Sequence, residues 1–407
     1  MAIVCGTDFS DASLGALEVA RALAAQRGDP DIALVSIIDD PKSAPSTQAA
    51  LDAACAAAGP GVAIRTRIGV GEVGPELLAI AASEASDFIV IAAASTSQHM
   101  GAAAERIVTS ARVPVLVLRN PEPWLAFARG TKPLRVLVSV DDSIPCELGI
   151  QWTHALRTRG PVDVVLGAVY YPDESAERYG LPAKPLVERD PDVEKLLERD
   201  LLQQFGRSDR VTARTRRGLG RIGNHVLELA TEASVDAIVI GTSQKTGLGR
   251  LGSVSAVVIR EGHQSVLCVP PNAKVATLVV RTVTSVLVAT DLSPFANRAV
   301  SLAVGTLPQG DIHLLHVVGR DEECNEDQLA SELQALAPSG TVDRIATHIV
   351  RSNDIGVAIA QAAARLGCDL ICLTSRKKYG ITRAVVGSVT DQVLQTTHKP
   401  VLLLGRS

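Results

Sequence analysis

The sequence predicts three tandem, doubly wound α/β domains, each built on a five-stranded parallel sheet. Three observations carry this expectation. A strand-like opening recurs three times, an apolar closing strand recurs three times, and between them short β-branched runs alternate with Ala- and Leu-rich stretches of helical length. Strands that read as continuous apolar runs, separated by helices, belong to parallel sheets covered on both faces.

The openings are IVCGTDFSDAS from Ile3, VLVSVDDSIPC from Val136 and VLVATDLSPFA from Val286. The closings are RVPVLVL from Arg112, HQSVLCV from His263 and HKPVLLL from His398. Together they divide the chain into domains at 1–120, 133–271 and 283–407. The middle copy is the longest between its opening Asp141 and closing Val266, and its surplus lies near Tyr171–Pro185, an insertion rich in proline and charge that reads as a loop. After it, Asp190 before Pro191 signals a helix start, and Val193, Leu196, Leu197 and Leu201 form one apolar face expected to cover the sheet. In the third copy the strands are SVLVAT, DIHLLHVV, ATHIV, DLICLT and PVLLL. A helix from Asn353 to Arg365 places Ile355, Ile359 and Ala362 toward them. RNPEPWLAFARGTKP and PPNAKVATLVVRT, punctuated by Pro and Gly, read as linkers.

At 407 residues the chain exceeds what one core supports, and 46% apolar with 21% charged residues is a globular balance. A net charge of −4 and 3% aromatics supply neither the basic footprint nor the stacking platforms of a nucleic-acid binder. The opening residues do not form a signal peptide, and no apolar run approaches a membrane span, so a cytoplasmic protein without membrane contact is expected. Seven cysteines without framework spacing read as reduced thiols, and Cys368 and Cys372 lack the spacing and further ligands of a zinc site.

In an open parallel sheet, ligands bind beyond the carboxyl ends of the strands. There the first strands end in Asp8, Asp141 or Asp291, followed by Ser10, Ser143 or Ser293. The serines suit helix caps, with Pro294 at a first helical position. The aspartates suit either a turn or a ribose, adenine or metal contact. After the fourth strand the middle copy reads IVIGTSQKTGLGRLGSVS, where Gly241, Gly247, Gly249 and Gly252 permit close backbone approach to a ligand. Gly252-Ser253 would open a helix whose free N–H groups attract phosphate, with Lys245 and Arg250 adding charge. Arg214, Arg216 and Arg217 read as a solvated strand face, and His313 and His316 as isolated histidines on one strand.

These residues resemble the universal stress protein family, whose domains have Rossmann-like five-stranded parallel sheets and whose ATP-binding members carry GxxG, nine residues, then G and S or T. The resemblance spans nearly the whole chain through TDFS, TDLS, Gly-Ser before a helix, and PVLLL. The middle copy departs from the motif at Gln244 and has seven residues before Gly252-Ser253. The third keeps the spacing to Gly387-Ser388 but has Thr374 and Lys377 for the first glycines, and the first copy has only Gly101-Ala102. The resemblance implies ATP or another adenine nucleotide, with Mg, in the second or third domain. Adenine would lie against Val140-Asp141 and Ala168, near Gly241-Thr242, or against Thr290-Asp291 and Val317, near Thr374.

Three classes of function compete. The first is a non-catalytic regulatory protein of the stress response that binds nucleotide and contacts partners. The others are a scaffold of the same family without nucleotide, and a slow ATP hydrolase. No HIGH-like histidine pair, SGGxDS loop or assembled nucleophile set is present in the sequence, so no catalytic residue is assigned. The apolar closing strands also imply a homodimer. Two copies can pair within the chain and leave the third edge, PVLLL, for a second chain.

Overall fold

The computed structural model describes residues 2–93, 102–141, 143–182, 184, 189–242, 254–274, 282–375 and 388–405. The chain forms two compact units, Met1–Val169 with Leu201–Val279, and Tyr170–Asp200 with Val280–Ser407.

In the first unit, copy one runs β1 (Ala2–Gly6), α1 (Asp11–Arg27), β2 (Asp31–Ile38), α2 (Ala44–Ala57), β3 (Ala63–Val70), α3 (Val73–Ser83), β4 (Ser86–Ala92), α4 (Ala102–Ser110) and β5 (Val115–Leu118). Helix α5 (Glu122–Ala128) follows, and copy two begins with β6 (Leu134–Ser139), α6 (Ile144–Arg157) and β7 (Val162–Tyr170). Its insertion holds α7 (Pro172–Tyr179) and α8 (Pro191–Phe205), and it continues through β8 (Val211–Arg217), α9 (Ile222–Glu232), β9 (Ala237–Gly241), α10 (Val254–Glu261) and β10 (Ser265–Val269).

The two copies share one ten-stranded sheet in the order β3-β2-β1-β4-β5-β10-β9-β6-β7-β8. At its centre β5 and β10 pair antiparallel, with Val117 opposite Val266 and Leu116 opposite Leu267. Every residue of both strands is buried, because this pairing removes two apolar edges from water at once. The segment expected to be a linker is a plug instead: Trp124 and Phe127 of α5 are fully buried against the core that α1 and α6 cover. Pro121 starts that helix, so the Pro signal marked a helix entry as well as a boundary.

The second unit carries β11 (Ser285–Ala289), α11 (Arg298–Thr306), β12 (Asp311–Val318), α12 (Glu326–Ala335), β13 (Ile345–Arg351), α13 (Ile355–Leu366), β14 (Leu370–Ser375), α14 (Ser388–Thr396) and β15 (Val401–Gly405). Its five-stranded sheet is ordered β13-β12-β11-β14-β15, with parallel ladders throughout. The strands fall within a residue of those expected. Ile359 and Ala362 are buried on α13 as the helical spacing requires, whereas Ile355 is 41% exposed because it occupies the first helical position, outside the packed turns.

The insertion folds with this third copy. Within it, the stretch expected to be a loop forms α7, which ends at Gly180 in the left-handed conformation (φ 62°) and buries Tyr179 completely. Tyr170, Ala176, Tyr179, Val193 and Leu197 form a small core with Ala364 of α13. Arg199 donates to the carbonyls of Ala364 (2.6 Å) and Arg365 (2.7 Å), and Gln361 donates to the Glu177 carbonyl (2.9 Å). Val193 and Leu197 therefore cover a helix of copy three, where the sequence pointed to the sheet of copy two.

Candidate functional site

Three strand ends share one construction. Thr7, Val140 and Thr290 each donate their N–H to the neighbouring strand, at the carbonyls of Val35, Gly167 and Leu315. The chain then turns through the aspartate. One carboxylate oxygen of Asp8, Asp141 or Asp291 accepts from the backbone N–H of Ser10 (3.0 Å), Ser143 (2.9 Å) or Ser293 (3.0 Å). Ser10 and Ser143 cap α1 and α6, accepting from Ser13 and Cys146, as expected of them. Ser293 likewise accepts from the Ala296 N–H at 3.2 Å, but α11 starts only at Arg298, because Pro294–Asn297 form tighter turns first. The Thr290 hydroxyl donates to Asn297 at 2.8 Å inside that turn.

Two features of these turns escape sequence reasoning. Phe9 and Leu292, each directly after the aspartate, hold φ near 63° and 62°, a left-handed conformation that costs a bulky residue about 1–3 kcal/mol. Each donates its N–H to the threonine hydroxyl two residues back at 3.0 Å, so the turn that strains the backbone also fixes Thr7 and Thr290. The aspartates thus have a structural duty. Burial alone would raise the Asp8 carboxyl, yet hydrogen bonds from Ser10 and Ser13 outweigh it and hold the group below its usual range. For Asp141, the second carboxylate oxygen makes no hydrogen bond among the described residues.

The register brings Val140, Asp141, Ala168, Gly241 and Thr242 to the carboxyl ends of three adjacent strands, β7, β6 and β9. Gly241 is required there by the protein itself. A Cβ at that position would lie 2.7 Å from Pro145 Cβ and 2.8 Å from the Cys146 nitrogen, so the first turn of α6 occupies the close approach assigned to a ligand. Thr242 donates its N–H to the Val269 carbonyl at 2.9 Å. Its hydroxyl is buried, at 4% residue exposure, with no hydrogen-bond partner among the described residues. The corresponding position of copy one, whose N–H binds Leu118 as Thr242 binds Val269, is the buried Ala93.

In copy three, Thr290, Asp291, Val317 and Thr374 stand at the ends of β11, β12 and β14. Ala168 and Val317 are not equivalent, however. Ser139 pairs with Gly167 and Ala289 with Leu315, so the counterpart of Ala168 is His316, whose Nδ1 lies 2.9 Å from the Thr290 carbonyl. Ala168 packs on the core beside α6, whereas Val317 packs on the opposite side, with α13. Gly247, Gly249, Arg250, Gly252, Ser253 and Gly387 lie outside the described residues, and Ser388 is described only as the first residue of α14.

Other candidates sort readily. Arg216 pairs with Glu228 (2.9 Å) and Glu232 (2.6 Å) on the outer strand, and Arg214 is exposed. His313 pairs with His348 across β12 and β13, Nδ1 to Nε2 at 3.0 Å, a contact invisible in sequence because the residues are far apart in the chain. All seven cysteines are free, and burial pushes the Cys5 thiol up to about 12 and those of Cys368 and Cys372 up to about 11. No group of three or more metal-binding side chains gathers among the described residues. No helix among them is long and apolar enough to cross a membrane.

These strand ends define a class: tandem doubly wound α/β domains, a fold whose ligands bind beyond the carboxyl ends of the strands. The model of the universal stress protein family matches three times, over residues 1–119, 134–270 and 282–405. The chain belongs to that family. A universal stress protein from Archaeoglobus fulgidus DSM 4304 superposes with a TM-score of 0.50 at 18% identity, over 66% of this chain and 98% of its own. A putative universal stress protein from Pseudomonas aeruginosa UCBPP-PA14 gives 0.49 at 15% identity, over 67% and 93%. A universal stress protein in complex with cAMP gives 0.24 at 24% identity, over 29% and 94%. No curated protein matches the chain.

Proposed function

We propose that the chain is a regulatory protein that holds an adenine nucleotide, ATP or AMP, at the carboxyl ends of the strands in copy two, copy three or both, without converting it. The observation that carries this is the buried hydroxyl of Thr242 beside Val140 and Asp141, which has no hydrogen-bond partner among the described residues. A buried polar group without a partner is costly, and a ligand that hydrogen-bonds it removes that cost. Copy one, with Ala93 there, lacks such a group. In copy two the Asp141 oxygen outside the turn would accept from the ribose or adenine, and Gly252-Ser253 would meet the phosphates with Mg. Thr290, Asp291 and Thr374 have the corresponding duties in copy three, with Gly387-Ser388.

The same proposal includes a homodimer through the third closing strand. In β5 and β10 every residue is buried by their mutual pairing, whereas β15 ends its sheet with Leu402 36% exposed and its other residues half-buried. A second chain would cover that edge isologously, and nucleotide would act by altering contacts with partners in the stress response.

Calorimetric titration with ATP, with and without Mg, tests the binding. One or two sites per chain are expected, with Asp141→Asn and Asp291→Asn each weakening one site while keeping the turn's acceptor oxygen. Absence of heat and of thermal stabilisation with ATP, ADP and AMP would leave the family's scaffold reading in place. Light scattering should find twice the chain mass, and Leu403→Lys a folded monomer.

A further inference from the structure

Connections of equal length follow the two central strands of the first unit. Residues 119–133 join β5 to β6 and residues 270–284 join β10 to β11, fifteen residues each. The first connection is the plug, with Trp124 and Phe127 of α5 fully buried. Counted from the strand ends Leu118 and Val269, Trp124 corresponds to Val275 and Phe127 to Leu278. The stretch VATLVV, from Val275 to Val280, holds no charge, and Val275, Leu278, Val279 and Val280 favour burial over water. Residues 275–281 lie outside the described residues.

The seat of α5 has a counterpart. Helix α5 lies on α1, where Gln26 donates to the Ala128 carbonyl at 3.3 Å and a Cβ on Gly15 would stand 3.2 Å from Pro121. The strand order reads the same from both ends of the ten-stranded sheet and its centre is antiparallel, so a half-turn relates the copies and carries α1 onto α6. Counted from the capping serines Ser10 and Ser143, Val19, Ala22, Leu23 and Gln26 become Trp152, Ala155, Leu156 and Arg159. Those four residues of copy two line a cleft of about 90 Å³, with Phe88 of β4 and with Lys274, which directly precedes Val275. Val19 is fully buried, whereas Trp152, stacked on Phe88 at 5.8 Å between ring centroids, is only partly so. The charges at the mouth balance: Arg27 pairs with Asp29 and Asp87, and both carboxylates also attract Arg159. The cleft therefore calls for an apolar occupant. If roughly 150 Å³ takes the six carbons of benzene, 90 Å³ takes about four in proportion, the number in a leucine side chain.

We infer that the segment Val275–Val280 is a second plug, docked on α6 as α5 docks on α1, with Leu278 entering the cleft beside Trp152 and Leu156. Lys274 already stands at the cleft, so Leu278 needs to reach across only four residues of chain.

Hydrogen exchange in the full-length wild-type protein reads the docking without any substitution. The amides of residues 275–280 should exchange roughly tenfold or more below the rate of unstructured chain, and exchange at that rate would overturn the proposal. Acrylamide quenching of tryptophan emission reads the cleft itself, because Trp152 lines it while Trp124 is fully buried. Leu278→Asp should increase the quenching, shift the emission to the red and abolish the exchange protection, and the emission changes should vanish when Trp152→Phe is added. Thr282→Asp, on an exposed side chain beyond the segment, should do none of this. If Leu278→Asp does not fold, Leu278→Ala is read in the same way. Quenching equal to that of the wild type in the folded Leu278 variant would sink the assignment. So would wild-type shielding of Trp152 that fades on dilution, since the occupant would then be a second chain.

Discussion

Thr242→Val tests the strand-end site with two effects of opposite sign. The hydroxyl is buried at 4% residue exposure and unpartnered among the described residues. Burying a hydroxyl without a partner costs about 1–3 kcal/mol. Valine keeps the branched shape and replaces the hydroxyl with a methyl, which suits a buried strand end. The ligand-free variant should therefore be more stable by about 1–2 kcal/mol. For a unit of this size each kcal/mol moves the melting temperature by roughly 2–4 °C, so the first unit's transition should rise by about 4 °C. With nucleotide the sign reverses. Loss of a ligand hydrogen bond should weaken ATP about tenfold and remove about 1.4 kcal/mol of its stabilisation. Scanning calorimetry with and without saturating ATP reads both effects. If the ligand-free variant melts lower than the wild type, the hydroxyl has a partner and the argument for copy two fails. A variant whose ATP-induced shift equals that of the wild type would show that the ligand never meets Thr242.

Gly241→Ala should destabilise the first unit by about 1–3 kcal/mol even without ligand, because the new methyl collides with Pro145 and Cys146; a neutral melt would refute the close approach of α6. Arg199→Ala should lower the melting of the second unit by about 1.5–3 kcal/mol and raise hydrogen exchange at the end of α13, since both carbonyl contacts vanish; unchanged exchange there would show the insertion is not anchored through Arg199. Burial lowers the pKa of His313 and of His348, the latter lowered further by His313 and Arg365, so the unfolded chain takes up protons first as pH falls. The second unit should keep its stability above about pH 6.5 and lose it progressively below, and His348→Gln should flatten that dependence; melts at descending pH with equal slopes in both proteins would exclude the pair as the cause.

What the sequence made legible follows from period and repetition. Strands such as DIHLLHVV, which forms β12 at Asp311–Val318, are short runs rich in Ile, Leu and Val bounded by turns, a span shorter than the helices of such a domain. Asp8, Asp141 and Asp291 were placed at strand ends because the openings repeat, and the serine caps followed from side-chain chemistry alone. Gly241 was legible as a close approach but not as to what approaches, because that depends on where Pro145 sits in three dimensions. The difference of one residue between Ala168 and Val317 has a similar origin. The second strands, VDVVLGAVY and DIHLLHVV, are apolar on both faces, so no alternation fixes their register, and only their pairing with β6 and β11 does. Thr242 stood out least, since a threonine ending a strand is ordinary until its burial, and its lack of a partner among the described residues, are known.

The insertion shows why repeat boundaries and packing boundaries diverge. In a doubly wound domain a helix needs one apolar stripe for the sheet, and its other face meets water. Helix α13, IGVAIAQAAARL, has no charge before Arg365 and buries Gly356, Ala358, Ile359, Ala360, Ala362, Ala363 and Ala364, so a second face also requires cover. The insertion supplies it. Ala364 enters the small core of Tyr170, Tyr179, Val193 and Leu197, and Arg199 donates to the Arg365 carbonyl and to that of Ala364, which also accepts from the Gly367 N–H. Small side chains permit the close fit: a Cβ on Gly180 would stand 2.9 Å from the Gln361 side chain, and one on Gly367 3.0 Å from Arg199. Sequence period gave only the face of Ile355, Ile359 and Ala362 that meets the sheet. It did not reveal the second face or the segment that covers it, because that partner belongs by repeat to another copy. The third copy therefore depends on thirty-one residues, Tyr170–Asp200, that lie within the sequence span of the second, and copy three expressed without them should expose that face of α13.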